Sequence, residues 1–472
     1  MKKYTSLTEI QGELAQKQLT LKELIAYYFK QIEKHQHLNA FNEVFFDSAT
    51  KQAEEIQAKL ESGSAGKLAG MVIGIKDNIC YEGHVVTASS KMLENFVSPY
   101  SSTVVKRLLA EDAIIIGRLN CDEFAMGGSN ETSYFGTVKN AADEERVAGG
   151  SSGGSAVAVQ ADMCLAALGT DTGGSVRQPA AFCGNIGFKP TYGRISRYGV
   201  IAYASSFDQV GTLTSSVTDA ALLLEVLAGA DENDSTVSSL EVPKYSENLS
   251  QSGKKKIAVL KETIESDALD PETKEAILSA IEKFKADGHE VTEVSFDLLE
   301  YLVPTYYILT TAEASSNLSR YDGVHYGYRN TQAQSLNQLY KSSRAEGFGE
   351  EVKRRIMLGT FVLSAGYYDA YYQKAQKVRR LIREKIETLL KDHDVLVSPV
   401  APTPAFKIGE NVQDPLVMYV ADIYTVLASL AGIPAVALPL GNNSAGLPLS
   451  IQLMTKHFNE QVLLNLSHSF LK

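Results

Sequence analysis

Hydrophobic positions along this chain follow two rhythms that take turns. In TLKELIAYYFKQIEKH (20–35), Leu24, Ile25, Tyr28, Phe29 and Ile32 share one side of a 3.6-residue period, which marks an amphipathic helix. Thr20 and Glu23 are spaced as the capping box that opens it. The runs MVIGIKD (71–77) and AIIIG (113–117) are continuously apolar, as in strands covered on both faces, and the helical STVVKRLLAED lies between them. A polar stretch, 231–254, reads as a linker or a long surface loop. Beyond it KIAVL is a strand, and DPETKEAILSAIEKFKADG is a helix with Asp270 as cap, Pro271 at its first position and Gly288 just past its end. HEVTEVSF alternates as a strand does, 349–391 is strongly helical, DVLVSPV and AVALPLG read as central strands, and HFNEQVLLNLSHSFL closes as a helix. Such alternation predicts an α/β fold.

One stretch breaks both rhythms. RVAGGSSGGSAVAVQADMCLAALGTDTGGSVRQPAA (146–181) carries two glycine-serine knots joined by small apolar residues. Glycines there bring backbone N–H groups close to a ligand, which suits an anion or a developing oxyanion. A flexible linker does not run directly into an apolar segment that must be buried. A phosphate cradle at a helix N-terminus is a second reading, but no G-x-x-x-x-G-K-[ST] occurs and no convincing GxGxxG follows a strand. A third is a nucleophile elbow, since Gly149, Ser151 and Gly153 spell G-x-S-x-G, as do Gly150, Ser152 and Gly154. An elbow serine needs a histidine base. None of the eight histidines has the context of an active-site loop, and His35, His37, His457 and His468 read as solvated surface residues at helix ends. A serine can instead be activated by a lysine made neutral by burial, and Lys76 closes the apolar run MVIGIK at the strand end where an open α/β sheet presents groups to its crevice.

Together, GIKDNI, GGSSGGSAVAV and GTDTGGSVRQPAAFCGNIGFKPTYGRIS resemble the amidase signature family, whose core uses a Ser-cisSer-Lys triad. Ser151 and Ser175 lie 24 residues apart, as the family's two serines do. The resemblance is dense over about 60–215 and looser elsewhere. It implies Ser175 as nucleophile, Ser151 as the bridging serine and Lys76 as general base, with Ser152 and Ser155 as bystanders. It implies an oxyanion hole from the N–H groups of Thr172, Gly173, Gly174 and Ser175. The fold it implies is a large mixed central β-sheet flanked by helices on both faces, in one domain spanning 1–472, with a catalytic core at about 60–215 and a specificity and partner-contact region at about 300–430.

Within the family, TYYILTTAEASSNLSRYDGVHYG (305–327) and EVKRRIMLGTFVLSAGYYDAYYQKAQKVRRLI (351–382) resemble the glutamine-dependent tRNA amidotransferase branch. That resemblance implies a glutamine amidohydrolase supplying ammonia to a B subunit, which activates Glu-tRNA(Gln) with ATP and Mg2+. A small C subunit completes a heterotrimer, and this chain itself holds no cofactor and no metal. By the same resemblance Arg355 and Asp422 hold the substrate's carboxylate and ammonium, and Tyr306 closes over it. Asp422 also stands out on its own, as a lone carboxylate in the apolar run PLVMYVADIYTVLASLAGIPAVALPLG. Glu123 and Asp171 read as loop-bracing residues, and Tyr367, Tyr368, Tyr371 and Tyr372 as packing or interface residues. The chain departs from the family's usual pattern at Ala148 and in the loop GGSNETSYFG (127–136), which lies near the substrate. The alternative within the family is a stand-alone amidase acting on small amides, and a non-catalytic binding module is disfavoured by the intact triad.

Charge and cysteine content narrow the partners. A formal net charge of −11 makes the chain a poor holder of nucleic-acid phosphates by itself, which accords with tRNA binding mainly through the B subunit. The four cysteines, Cys80, Cys121, Cys164 and Cys183, match no zinc or disulfide spacing. With no apolar targeting segment and no membrane-length run, the expectation is a soluble, cytoplasmic protein.

Overall fold

The computed structural model describes residues 2–249, 253–411 and 415–472. Its strands are β1 (Phe41–Val44), β2 (Val72–Lys76), β3 (Ile114–Leu119), β4 (Ala166–Asp171), β5 (Ile186–Lys189), β6 (Gln209–Thr214), β7 (Lys256–Leu260), β8 (Glu290–Val294), β9 (Val395–Ser398), β10 (Ala435–Asn442) and β11 (Pro448–Met454). All eleven form one sheet, in the order β1-β3-β2-β4-β6-β5-β10-β11-β9-β7-β8. Pairing is parallel where β2 meets β3 and β4 and where β7 meets β8 and β9, and antiparallel elsewhere. The architecture is therefore α/β with a mixed sheet.

Side-chain alternation covers the sheet on both faces. Ile257, Val259, Val395, Val397 and Leu453 join a core with Ile277, Ile281 and Phe284 of the helix Pro271–Ala286. Their strand neighbours Ala258, Leu260, Leu396 and Met454 join a second core with Leu302, Tyr306 and Leu309 of the helix Leu299–Asn317 and with Val352 and Ile382. A period of two forces this division, because successive strand residues point to opposite faces. The edge strand β8 keeps Glu290 and Glu293 exposed, a charge pattern that discourages pairing with another sheet.

Local expectations hold where caps and periodicity agree. Thr20 and Glu23 make the reciprocal capping box, and Asp270 caps a helix that begins at Pro271. The helical tract 349–391 is interrupted: it forms Glu350–Leu363 and Lys374–Asp392, with a π-turn at Tyr368–Gln373 between them. Gly366, at φ +89°, occupies the break in a backbone region that L side chains rarely adopt. In the polar stretch 231–254, Tyr245–Asn248 forms a short 3-10 turn, and 250–252 lie outside the described residues. Among the described residues no helix is long and apolar enough to cross a membrane.

Candidate active site

The parallel strands β2 and β4 carry the chemistry at their carboxyl ends. β2 ends on Lys76, which is fully buried, while β4 ends on Asp171 and runs through Thr172–Val176 into the helix Arg177–Cys183. The first glycine-serine knot turns between them, and the helix Gly153–Gln160 follows it. Lys76 Nζ lies 2.7 Å from Ser151 Oγ and 2.9 Å from Ser152 Oγ. Ser152 is thus no bystander: its hydroxyl touches the lysine and also exchanges 3.3 Å contacts with the backbone of Thr170. The motif had offered two serines at this position, and the fold turns both toward the amine. Ser155 does point away, donating to the Leu168 carbonyl.

Burial pulls the Lys76 pKa down from its ordinary 10.5, against the opposing field of Cys121, Asp122, Asp208 and Asp171. No carboxylate pairs with it directly among the described residues. This environment favours the neutral amine.

The peptide between Gly150 and Ser151 is cis. Ser175 is the one member of the predicted triad that keeps some exposure, at 8%. Its carbonyl accepts from the Ser152 N–H at 3.2 Å, so the two knots touch through the backbone. No hydrogen bond joins the Ser151 and Ser175 hydroxyls among the described residues. Contacts of this kind commonly close only around bound substrate. The N–H groups of Gly173, Gly174 and Ser175 donate to no protein acceptor among the described residues, which leaves them available to a developing oxyanion. Thr172 is held by its hydroxyl, which donates to Asp208 at 2.7 Å. A Cβ at Gly173 would come within 2.4 Å of the Tyr306 hydroxyl, and one at Gly174 within 2.3 Å of Thr425 Oγ1. Both glycines are therefore required by close approach.

Three acids frame these loops. Asp122 is fully buried, accepts from the Asn130 N–H and the Thr132 hydroxyl, and donates its own N–H to the Ser151 carbonyl. Burial pushes its carboxyl up, with the Thr132 hydrogen bond opposing. Glu123 braces as expected, accepting from Ser90 and from the N–H of Gly349 at the start of the helix Glu350–Leu363. Asp171 forms a fully buried ion pair with Arg177 at 2.8 Å. Burial pushes the Asp171 carboxyl up, but Arg177, Lys189 and the Val176 N–H together more than offset it and the net shift is downward. Arg177 also reaches the Thr425 carbonyl and Gln452, tying β4 to β11. Arg177→Met strands Asp171 as an unpaired buried carboxylate, and is expected to lower stability by about 3–5 kcal/mol. A shift of the urea midpoint at unchanged slope reads it out.

Beside the triad loops lies a cavity of about 190 Å³, lined in part by Gly128, Thr132, Tyr307, Glu351, Arg355 and Asp422. The structure thus brings Arg355 and Asp422 to one chamber, with the departing loop 127–136 on its wall. Tyr306 is not in that lining; it sits against Gly173 of the oxyanion loop. Gln178 couples the two compartments, accepting from the Gly150 N–H at 2.9 Å and donating to the Gly128 carbonyl at 2.8 Å. Arg355 is buried, and its guanidinium contacts Glu351 at 2.8 Å and the Tyr203 hydroxyl at 2.9 Å. Asp422 accepts from the Tyr307 hydroxyl at 2.7 Å. Burial pushes its carboxyl up to about 6, opposed by that hydrogen bond and by Arg355.

Sequence reasoning missed Asp122, Asp208, Gln178, Tyr203 and Tyr307. Asp122 and Asp208 lie in loops just after β3 and just before β6 and carry no motif of their own, so only the fold shows what they brace. Tyr367, Tyr368 and Tyr371 are roughly two-fifths exposed, with this chain covering them only partly. Among the histidines, His457 is half-buried and bonded to the Ala431 carbonyl, so it is no free surface group.

Comparison with known proteins places the chain in a family. The A subunit of glutamyl-tRNA(Gln) amidotransferase from Bdellovibrio bacteriovorus is 50% identical over 471 residues, covering 98% of this chain and 96% of that one. The crystal structure of the A subunit of glutamyl-tRNA(Gln) amidotransferase from Thermotoga maritima matches with a TM-score of 0.77 at 40% identity, over 94% of this chain and 90% of that chain. The peptide amidase PAM, solved with the competitive inhibitor chymostatin, matches with a TM-score of 0.82 at 26% identity, over 98% and 96% of the two chains. The family described as Amidase matches residues 23–464, nearly the whole length, and the chain belongs to it as a bearer of the amidase signature.

Proposed function

We propose that this chain is the glutamine-hydrolysing subunit of a glutamyl-tRNA(Gln) amidotransferase, releasing ammonia for the conversion of Glu-tRNA(Gln) to Gln-tRNA(Gln). The observation that carries the reading is the chamber in which a buried arginine and a half-buried carboxylate, Arg355 and Asp422, are linked through Gly128 and Gln178 to the loop that carries Ser151 beside Lys76. Glutamine presents a carboxylate and an ammonium on one carbon, and its recognition needs one fixed charge of each sign. Its side-chain amide then points toward the oxyanion loop.

In the proposed reaction Ser175 Oγ attacks the amide carbon while its proton passes through Ser151 to neutral Lys76. The carbonyl oxygen gathers negative charge against the N–H groups of Gly173, Gly174 and Ser175, each well-aimed donor lowering the barrier by about 3 kcal/mol. The C–N bond breaks as Lys76 returns the proton through Ser151, and ammonia leaves with an acyl ester on Ser175. Water hydrolyses the ester to glutamate by the same relay. Thr172 is placed for this by Asp208, and Tyr306 packs the far side of Gly173. ATP, Mg2+ and the charged tRNA belong in this reading to a B subunit, with a C subunit completing a heterotrimer in the cytoplasm. The exposed tyrosines of the π-turn are offered as partner-contact residues.

A stand-alone amidase for small amides has no use for two opposite charges fixed in its chamber. Ammonia release separates the two readings. The chain is expected to hydrolyse glutamine in preference to propionamide or benzamide, and more rapidly with its companion subunits than alone. Comparable turnover of the uncharged amides, unaffected by companions, overturns the assignment.

A further inference from the structure

Three charged groups of the chamber, Glu351, Arg355 and Asp422, are each held by an aromatic neighbour. Tyr307 and Tyr419 stack with ring centroids 4.0 Å apart and planes 25° from parallel. Their hydroxyls go opposite ways: Tyr307 donates to Asp422 at 2.7 Å, and Tyr419 donates to Glu351 at 3.0 Å. The Arg355 guanidinium lies over both rings, 5.3 Å from one centroid and 5.6 Å from the other. Glu351 already pairs with Arg355, and it also binds Arg354. The stacked pair thus binds the two acids through separate hydroxyls, Glu351 being also paired with Arg355.

We infer that Tyr307 is a positioning residue that fixes substrate specificity, holding Asp422 so that one carboxylate oxygen is left for the substrate's α-ammonium. The inference rests on the reading of the chamber as a glutamine site. Tyr307 binds Asp422 through Oδ2, and a Cβ built at Gly128 would lie 3.3 Å from Met418 Cε and 3.9 Å from Asp422 Oδ1, so Oδ1 faces the cavity wall that Gly128 forms. Without the hydroxyl, the carboxylate on the Ala421–Thr425 segment loses the anchor that keeps Oδ1 toward the cavity. Tyr307 touches no reacting atom, and Tyr306 beside it serves the oxyanion loop instead.

Asp422 shares the chamber with Tyr307, with Arg355, Arg354, Glu350 and Glu351 from the helix Glu350–Leu363, with Tyr419 and with Glu131, and Tyr306, Asp171 and Arg177 lie within electrostatic reach; of these, Tyr307, Arg355, Asp171 and Arg177 act most on its titration. Burial raises the Asp422 pKa to about 6 and the Tyr307 hydrogen bond opposes the rise. Removing the hydroxyl therefore moves the titration upward, so that Asp422 becomes protonated, and unable to pair with an ammonium, nearer to neutral pH.

The test is Tyr307→Phe in the assembled complex, which keeps the ring stack and deletes one oxygen. Glutamine and glutaramate, the same amide without its α-ammonium, are compared as substrates. KM for glutamine is expected to rise roughly tenfold or more with kcat little changed, since a hydrogen bond to a charged group is being removed. Glutaramate kinetics stay put, so the preference for glutamine falls by the same factor. The acid-side rise in KM for glutamine moves to higher pH. Tyr419→Phe, which frees Glu351 instead, leaves that pH midpoint where it was. Unchanged kinetics, equal losses on both substrates, or an unmoved pH midpoint each overturn the inference. Failure of the glutamine reading looks different: the wild-type complex does not prefer glutamine to glutaramate, or Asp422→Asn leaves KM unchanged.

Discussion

Ser175→Ala is expected to reduce glutamine hydrolysis by roughly 10⁴-fold or more, because losing the nucleophile removes the covalent route and leaves only the oxyanion donors and binding. The same complex keeps its transfer from added ammonium salts at near wild-type rate, since that route begins after the step Ser175 performs. Packing around the site changes little. Ser175 makes its inter-loop contact through its carbonyl rather than its hydroxyl, and no side-chain hydrogen bond is lost. Glutamine still binds, because Arg355 and Asp422 sit in the neighbouring chamber. The measurement is ammonia release paired with Gln-tRNA(Gln) formation from each nitrogen source. Loss of both activities contradicts the division of labour between this chain and its partner. Loss of neither contradicts the nucleophile. Ser152→Ala tests the second serine on Lys76 and is expected to cost far less than Ser151→Ala, because the Ser152 hydroxyl also serves the Thr170 backbone in a bracing role.

What the sequence made legible, and what it did not, follows from how far each signal reaches along the chain. Thr20 with Glu23, and Asp270 with Pro271, were readable because a helix cap is satisfied within three or four residues. The apolar run ending on Lys76 was readable as a buried strand with a misplaced charge, and that strand proved to lie third from one edge of the sheet, covered on both sides. The division of the sheet into two cores follows from alternation, but its strand order does not: β4 between β2 and β6, and β10 beside β5, are pairings across long stretches of chain. The site divides in the same way. Lys76, Ser151 and Ser175 stand in local motifs, whereas Asp122, Asp208 and Gln178 act on loops that only the tertiary fold brings within reach. Tyr307 was hidden by its neighbour: a helical pair of tyrosines gives no sign that one serves the oxyanion loop and the other a carboxylate 115 residues away. The break at Gly366 was missed because 3.6-residue periodicity persists on both sides of it.

Lys76→Met is the second large effect, and it separates a catalytic lysine from a structural one by changing activity and stability in different directions. Activity is expected to fall by about 10³–10⁴-fold, the range of a lost general base, with KM for glutamine little altered. Stability is expected to hold or rise. A fully buried lysine with no carboxylate pairing it is a burden on the fold, since it must be either desolvated as the ammonium or deprotonated, and methionine fills the same volume with no charge to lose. The pH dependence fixes the sign. The folded-state pKa of Lys76 lies below 10.5 while the unfolded chain titrates near 10.5, so between these values the unfolded state binds more protons. Wild-type stability relative to Lys76→Met therefore rises with pH across that window. It is lowest below the folded-state value, where the native lysine must be carried charged. The wild-type kcat/KM for glutamine follows the same ionisation: it climbs as Lys76 loses its proton, with a midpoint below 10.5. Lys76→Arg, permanently charged, stays inactive across the whole range. A variant that unfolds at neutral pH, or an activity profile with no rise below 10.5, is incompatible with a neutral lysine as the base of this site.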